Sequence, residues 1–334
     1  MSRVRSPYRL SAPRVAALRP ALERLARTTD AAVRIGYDPV EIPRRYAEAS
    51  DAEVTGLVAA ALAYGRADLF KPQIERVLAA MGPRPARFAE DFARRPDTSA
   101  FSGFRYRFNR PEDVAALVAA IGHVRALYGS LGARFTALFA GASGEVDPVR
   151  AALSLFADEL RTAPPATALL ASRGRRGLLH LLPDPRLAGA CKRWNLYLRW
   201  MIRGPDAVDL GLWRGVPRSA LVIPLDTHVQ RIARNLGLTR RADATWRTAA
   251  EITASLRAID PDDPVRFDFA LCHLGMSGAC PARRDARRCE VCELAVRCDA
   301  RRPARPTRRR APRRKDRPPD PPPRRQRGAT GSTG

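Results

Sequence analysis

Four cysteines in one short segment constrain the fold of this chain more than any other feature of its sequence. They follow the pattern C-x8-C-x2-C-x5-C and are Cys280, Cys289, Cys292 and Cys298. Four thiolates within nineteen residues can hold a tetrahedral metal ion or an iron–sulfur cluster. The N-terminal residues contain no apolar secretory signal, so we expect a reducing cytoplasm, in which disulfides are disfavoured. The pattern therefore predicts a loop that encloses a metal centre, and it leaves zinc and iron–sulfur open.

The charge of the chain indicates its partner. The net charge of the 334 residues is +25, and ten of these charges lie in residues 299–334, which hold twelve Arg and one Lys against three Asp. The other fifteen belong to residues 1–298. A folded body this basic favours a polyanion, most simply nucleic acid. No apolar run reaches the roughly 18 residues of a membrane helix, so no membrane partner is expected.

Apolar residues recur at helical spacing along most of the chain, which predicts an all-α fold. Residues 1–12 and the Arg/Pro-rich tail 299–334 are expected to be disordered. The predicted helices cover residues 13–28, 50–63, 68–81, 111–127, 130–139, 147–161, 191–203, 217–222, 226–236, 246–258 and 263–274.

Two local patterns predict particular contacts. Ser50 and Asp51 are expected to cap the second helix, with Glu53 three residues after Ser50 as in a capping box. In residues 101–108 aromatics alternate with arginines, which would place them on opposite faces of an extended segment. That segment is either an aromatic plug for the core or a basic–aromatic edge for nucleic acid.

Two polar residues upstream of the cysteines can carry chemistry. Asp226 stands in IPLDTHVQRIARNLGL, where it can cap the helix that follows Pro224, and on this motif alone capping is its simplest role. Lys192 follows the Pro-rich turn LLPDPRLAGAC. Only three of the 59 basic residues are Lys. An amine can lose its proton and attack carbon, which a guanidinium cannot do, so Lys192 is a candidate Schiff-base nucleophile.

The order of these features resembles the helix–hairpin–helix DNA glycosylases of the endonuclease III type. Those enzymes have a turn and helix with a Lys, then a V-D-T-H-V-like motif, then a four-cysteine loop. The blocks ALAYGRADLF, GFRYRFNR, CKRWNLYLRWM and IPLDTHVQRIARNLGL resemble more closely a bacterial family of uncharacterised function related to these enzymes. The turn departs from the glycosylase pattern L-P-G-x-G-x-K. Here Pro183 and Lys192 are nine positions apart, and Gly189 is the only glycine between them.

The resemblance, which covers about residues 30–298, implies a two-lobed glycosylase-like fold. Residues 50–203 would form a helical barrel-like lobe that includes the hairpin at about 181–203. Residues 13–49 and 204–298 would form a second lobe, with the Asp226 helix and the cluster loop 280–298.

The resemblance also implies roles for individual residues. Asp226 would be the catalytic carboxylate, Lys192 would form the Schiff base with a lowered pKa, and the four cysteines would hold a 4Fe–4S cluster, with zinc as the alternative. Cys191, Cys272 and His273 are expected to be core or supporting residues. The aromatic stripe of Trp194, Tyr197 and Trp200 is interpreted first as core. The candidates for contact with DNA or substrate are Tyr64, Arg66, Gly189, Arg193, Trp194 and His228.

The implied function is excision of a damaged base from duplex DNA, with possible cleavage at the abasic site. We expect a monomer in the bacterial cytoplasm, associated with the nucleoid. The first alternative is a non-catalytic nucleic-acid-binding protein that retains the scaffold and the cluster. The second is an RNA-binding or RNA-modifying protein.

Overall fold

Helices make up the regular structure of the chain. The computed structural model describes residue 8 and residues 10–299, and this part contains fifteen α-helices, no β-strand and one isolated bridge, Tyr106–Asn109. The all-α prediction is confirmed. In chain order the helices are α1 (Ala12–Thr28), α2 (Ala31–Arg34), α3 (Ala49–Leu62), α4 (Ala67–Met81), α5 (Pro85–Arg94), α6 (Pro111–Tyr128), α7 (Leu131–Gly141), α8 (Pro148–Thr162), α9 (Pro164–Leu169), α10 (Arg176–Leu181), α11 (Lys192–Ile202), α12 (Thr227–Asn235), α13 (Trp246–Ile259), α14 (Asp268–Met276) and α15 (Ala286–Glu290).

Most of the predicted helices are present, and the differences have local causes. Residues 217–222 contain only a short 3-10 turn, Arg218–Ala220, in place of an α-helix. Helix α5 was not predicted, because Gly82 and Pro83 indicate the end of the helix over residues 68–81. Pro85 is the first residue of the new helix, where a missing N–H costs nothing. Disorder was expected for residues 1–12 and 299–334. Of these, the structure describes only residues 8, 10–12 and 299, and the others lie outside the described residues.

Two helices form the centre of the fold because they are apolar on all sides. α3 buries every residue from Asp51 to Leu62, and α6 buries every residue from Asp113 to Gly122. α11 packs closely on α3 at Gly56, where an added Cβ would lie 2.8 Å from the Met201 side chain. This contact with the core fixes α11, whose first residue is Lys192.

The capping box predicted for Ser50 and Glu53 is wrong. α3 begins at Ala49, and the buried Glu53 carboxylate accepts hydrogen bonds from the backbone N–H groups of Leu131 at 3.0 Å and Gly132 at 2.7 Å. Glu53 therefore caps α7, which is distant in sequence, and not its own helix. Its other donors are the Arg125 guanidinium at 2.7 Å and the Trp213 indole N–H at 2.8 Å.

The aromatic and arginine residues of 101–108 form a turn and not an extended segment. Backbone hydrogen bonds between Tyr106 and Asn109 close this turn, and Arg107 within it has a positive φ of 54°. Phe101, Phe104 and Tyr106 are buried, whereas Phe108 is half exposed. Most of the segment is therefore an aromatic plug for the core, the first of its two interpretations.

In the described part of the chain no single helix is long and apolar enough to span a membrane, and only α6 and α7 taken together, bent by 71°, reach the required length and composition. All of the described residues belong to one compact unit. The division into two lobes stays a prediction.

Candidate active site

Lys192 is the first residue of helix α11 and follows the ten-residue loop after α10. The residue before it, Cys191, is buried and has a left-handed backbone, with φ 49° and ψ 38°. This conformation costs a residue with a side chain roughly 1–2 kcal/mol, so the surrounding contacts must hold it. One of them is the Asn195 N–H, which donates to the Cys191 carbonyl at 3.1 Å. The turn places Lys192 at the start of α11 with its side chain 37% exposed.

Asp226 is the N-cap of helix α12, as its motif predicts. Its Oδ1 accepts the backbone N–H of Val229 at 2.7 Å. A carboxylate at this position is favoured by the unpaired N–H groups of the first helical turn and by the helix dipole. Because one oxygen serves the cap, Oδ2 is available for other partners. The same side chain can therefore hold the helix and take part in chemistry.

Lys192 and Asp226 meet as an ion pair. Nζ of Lys192 lies 3.5 Å from Oδ2 of Asp226. Burial acts to lower the pKa of Lys192, but the negative charge of Asp226 and of further acidic groups outweighs it, and the pKa is raised above its ordinary value. The expected lowering of this pKa is wrong. At neutral pH Lys192 is an ammonium ion, and it must pass a proton to an acceptor such as Asp226 Oδ2 before it can attack carbon.

A third residue contacts the same carboxylate oxygen. The thiol of Cys272, on α14, donates to Asp226 Oδ2 at 3.4 Å. α14 can approach α12 this closely because Gly275 faces His228, where an added Cβ would lie 2.5 Å from the His228 Cβ. Cys272 was expected in the core or in a supporting position. Since the thiol donates to the carboxylate next to Lys192, it supports the pair directly.

These residues line one cleft of about 660 Å³. Its walls include the apolar side chains of Phe70, Leu196 and Met276. An apolar cleft with a few convergent polar groups is the usual form of a small-molecule or base pocket. The predicted site residues that the structure brings to this cleft are Lys192, Asp226, Tyr64, Arg66, Arg193 and His228.

Arg193 has a positioning role at the cleft wall. Its guanidinium donates to the carbonyl of Ala61 at 2.8 Å and lies over the ring of Tyr64, 5.4 Å from the ring centroid. Burial lowers the pKa of Arg193 to about 10 and raises the pKa of Tyr64. Arg66, in contrast, is 78% exposed and pairs with Asp68 at 2.7 Å. Of the two arginines, Arg66 is the one that presents its side chain to solvent.

Two predicted site residues lie away from the cleft. Trp194 is 2% exposed, and its indole N–H donates to the Pro183 carbonyl at 2.9 Å, so it belongs to the core, as do Tyr197 and Trp200. Its position on α11 turns it toward the protein interior, which removes it as a stacking partner for a base. Gly189 is exposed in the loop before α11, and a Cβ there would meet no atom within 4 Å.

A buried charge network lies beneath the pair, and the sequence analysis missed it. Arg199 is 2% exposed; its Nε donates to Asp209 Oδ1 at 3.1 Å, and its Nη1 contacts Asp268 Oδ2. Burial raises the pKa of Asp268 to about 7. Asp38 lies 3.6 Å from the Nε2 of buried His273. Helical spacing was the available signal, because Lys192 and Arg199 are seven residues apart and so share one face of α11.

The four cysteines of the loop line one small cavity of about 80 Å³. The backbone N–H of Cys280 donates to the Leu274 carbonyl at 3.0 Å, and the Cys280 carbonyl accepts from Arg231 of α12 at 2.6 Å. Cys289 lies on α15, whose N-cap is Asp285. The loop is thereby tied to both α12 and α14, the helices that carry Asp226 and Cys272.

Four thiols are a donor set that either a zinc ion or an iron–sulfur cluster takes. Among the described residues, no group of three or more His, Cys, Asp or Glu side chains is arranged to hold one metal ion.

Comparison with known proteins identifies the family of the chain. The family described as "Protein of unknown function (DUF2400)" matches residues 38–277, more than two thirds of the sequence. The chain belongs to this family. The DUF2400 match contains Lys192, Asp226, Cys272 and every other residue of the cleft except Tyr37, and it ends before Cys280. No curated protein and no solved structure matches the chain.

Proposed function

We propose that this protein excises a damaged base from duplex DNA and can cleave the resulting abasic site. The scaffold would be that of the helix–hairpin–helix glycosylases, which the motifs around Lys192 and Asp226 and the four-cysteine loop resemble. The single observation that carries the proposal is the ion pair of Lys192 and Asp226 at 3.5 Å in a partly apolar cleft. An amine can form a Schiff base with a sugar carbon, and a neighbouring carboxylate can accept the proton that the ammonium must first lose.

The reaction follows from the atoms of this pair. Lys192 Nζ passes one proton to Asp226 Oδ2, and its lone pair then attacks the sugar C1′ of a nucleotide that has left the base stack. The N–C1′ bond forms while the glycosidic bond breaks, and the base departs with that electron pair and takes the proton from Asp226. The attached nitrogen then gives one proton to Asp226, its lone pair forms the C=N bond of an iminium ion, and O4′ leaves C1′ and takes that proton. Asp226 finally accepts a C2′ proton, and the 3′ phosphate leaves with the electron pair of the C3′–O bond, which cleaves the strand.

DNA is the proposed partner because arginines lie on the cysteine loop and in a groove along α12. Five arginines of the cysteine loop are exposed: Arg283, Arg284, Arg287, Arg288 and Arg297. A second, more polar groove of about 890 Å³ runs along α12 and is lined by Arg14, Arg231, Arg234 and Arg240, among others. Arginines in such positions neutralise phosphates and hold a backbone while a nucleotide rotates out.

The cluster is proposed as a structural group. Cys280, Cys289, Cys292 and Cys298 would hold a 4Fe–4S cluster, which supplies rigidity to a loop that has little apolar surface of its own. Arg231 connects this loop to α12 through the Cys280 carbonyl. A fixed loop would keep its exposed arginines in place against DNA. Zinc bound by the same four thiolates is the alternative.

The proposal is tested with a panel of duplexes, each carrying one oxidised, deaminated or alkylated base, together with an abasic duplex and undamaged DNA. We expect release of at least one damaged base and borohydride trapping of the protein on the abasic duplex. Lys192→Ala should abolish the trapping, whereas Lys71→Ala, a change of another lysine outside the cleft, should not. Equal trapping by the wild type and Lys192→Ala would contradict the Schiff-base role.

A second candidate is a nucleic-acid-binding protein without catalysis. Two observations favour it. The pKa of Lys192 is raised because the nearby acidic groups outweigh burial, so its nucleophilic free amine is disfavoured. The loop before α11 is long, and Gly189 is its only glycine between Pro183 and Lys192, unlike the glycosylase hairpin. A protein of this kind would bind damaged and undamaged duplexes with the same salt dependence, would release no base and would not be trapped. The same panel therefore separates the two candidates, and a competition between DNA and RNA at fixed salt tests for RNA binding.

A further inference from the structure

Three residues that line the cleft have a buried polar atom with no hydrogen-bond partner among the described residues: His228 at Nδ1, Arg199 at Nη2 and Asp268 at Oδ1. The atoms of Arg199 and Asp268 carry the argument. Both residues line the cleft, and both are 2% exposed. Leaving a buried donor or acceptor unpaired costs about 1–3 kcal/mol, and more for a charged group. Such a cost in a binding cleft is reduced when a ligand supplies the missing partners.

The two atoms are one donor and one acceptor on side chains that already touch. Arg199 Nη1 contacts Asp268 Oδ2, and this contact leaves the second atom of each group unpaired. A guanidinium N–H seeks an acceptor, and a carboxylate oxygen seeks an N–H donor. The matching ligand therefore has an acceptor next to a donor on one edge. A nucleobase with a ring carbonyl next to a ring N–H has this edge.

The rest of the cleft suits the faces of such a ring. Phe70, Leu196 and Met276 supply apolar walls, and Tyr37 at the cleft is 65% exposed. Flat rings stack on aromatic and apolar side chains, and polar groups then select the ring by its edge. The cleft thus combines apolar contact for the ring faces with a polar floor for one edge.

We propose that Arg199 and Asp268 form the base-recognition floor of the cleft and select bases that present a carbonyl next to a ring N–H. Arg199 Nη2 donates to the carbonyl, and Asp268 Oδ1 accepts the N–H. This inference deepens the proposed glycosylase function and names its substrate class. Asp209 holds Arg199 from another side at 3.1 Å and does not line the cleft, so it is a supporting residue.

The test measures binding of free bases to the full chain by calorimetry. Uracil is compared with 1,3-dimethyluracil, and hypoxanthine with 1-methylhypoxanthine, because methylation removes the N–H that Asp268 would accept. We expect at least one parent base to bind at least about tenfold more tightly than its methylated partner, the effect of one hydrogen bond to a charged group. Equal binding within both pairs, or no binding of either parent base, overturns the inference.

Two matched variants locate the effect. In Asp268→Asn the amide oxygen stays on Arg199 and the NH2 group takes the free position, where it opposes the ring N–H, so the preference for the parent base should disappear. Asp209→Asn should keep it. Loss of the preference in both variants, or in neither, contradicts the assignment of the floor.

The outcome is separable from that of the proposed function. Borohydride trapping of the wild type on an abasic duplex needs Lys192 but no base, so it reports the Schiff-base role and not the floor. If the wild type releases no damaged base and is not trapped, yet prefers the parent bases, the proposed function fails and the floor stands. If the wild type is trapped but binds parent and methylated bases alike, the floor fails and the Schiff-base role stands.

Discussion

The ammonium nitrogen of Lys192 lies 3.5 Å from Oδ2 of Asp226, although the two residues are 34 positions apart in the chain. Two helix starts create this proximity. Lys192 is the first residue of α11, and Asp226 is the N-cap of α12. The thiol of Cys272 donates to the same oxygen from a third helix. Three helices therefore meet at one carboxylate: α11 contributes Lys192, α12 contributes Asp226 and α14 contributes Cys272.

The pH dependence of trapping should report the ion pair. The pKa of Lys192 is raised because Asp226 and other acidic groups outweigh the effect of burial, so its charged form is favoured and its free amine appears only as pH rises. The trapping rate on an abasic duplex should therefore increase with pH. Asp226→Asn removes the largest cause that raises this pKa, so its pH profile should shift to lower pH. Trapping rates of the wild type and Asp226→Asn, measured over a pH series, would show this shift. Equal midpoints of the two pH profiles would contradict it.

Gly275→Ala should separate α14 from α12. The new Cβ would lie 2.5 Å from the His228 Cβ, closer than two carbons can approach, so the helices must move apart. The Cys272 contact with Asp226 should lengthen, and base release should fall with a smaller change in duplex affinity. The control is Gly141→Ala, at the end of α7, where a Cβ meets nothing within 4 Å. Equal base release by the two variants would show that the close approach is unnecessary.

Glu53 should be a determinant of stability rather than of catalysis. Its carboxylate is buried and pairs with Arg125 at 2.7 Å while it caps α7. Glu53→Ala leaves a buried guanidinium without this partner, and the free energy of unfolding should fall by about 3–5 kcal/mol. The exposed residue Glu145 provides the control, since Glu145→Ala should change it by less than about 0.5 kcal/mol. Denaturant titration of both variants checks the difference.

The metal content should depend on the loop cysteines alone. Protein purified without oxygen should be brown, with broad visible absorbance and four iron atoms per 4Fe–4S cluster. Cys292→Ala should lose the iron, whereas Cys191→Ala should retain it, because Cys191 lies outside the loop cavity. Elemental analysis and the visible spectrum give the answer. A colourless wild-type protein with one zinc per chain would contradict the cluster.

The sequence could predict what depends on neighbours along the chain. The cap formed by Asp226 follows from Pro224, the helical pattern after it and the short reach of a carboxylate. The role of Glu53 could not be predicted in this way, because the N–H groups that it accepts belong to α7, nearly eighty positions later. Helix α5 was missed because Gly82 and Pro83 indicate only the end of the helix before it.

The candidate site shows the same division. The resemblance paired Lys192 with Asp226, and both lie in the cleft. The spacing of Lys192 and Arg199 places both on one face of α11, but it does not give their partners. The contacts of Cys272 and Asp268 depend on how closely α14 packs against α11 and α12. Trp194 was a candidate because it is close to Lys192 in sequence, but the helical rotation between them turns it into the core.

The most direct test of the account is to identify the residue that is covalently attached to DNA. The wild-type protein is reduced with borohydride on an abasic duplex, digested, and analysed by mass spectrometry for the peptide that carries the sugar. We predict that the modified residue is Lys192 and that Lys192→Arg, which keeps the charge, yields no adduct. An adduct on any other residue, or an equal yield from Lys192→Arg, would contradict the proposed role of the Lys192–Asp226 pair.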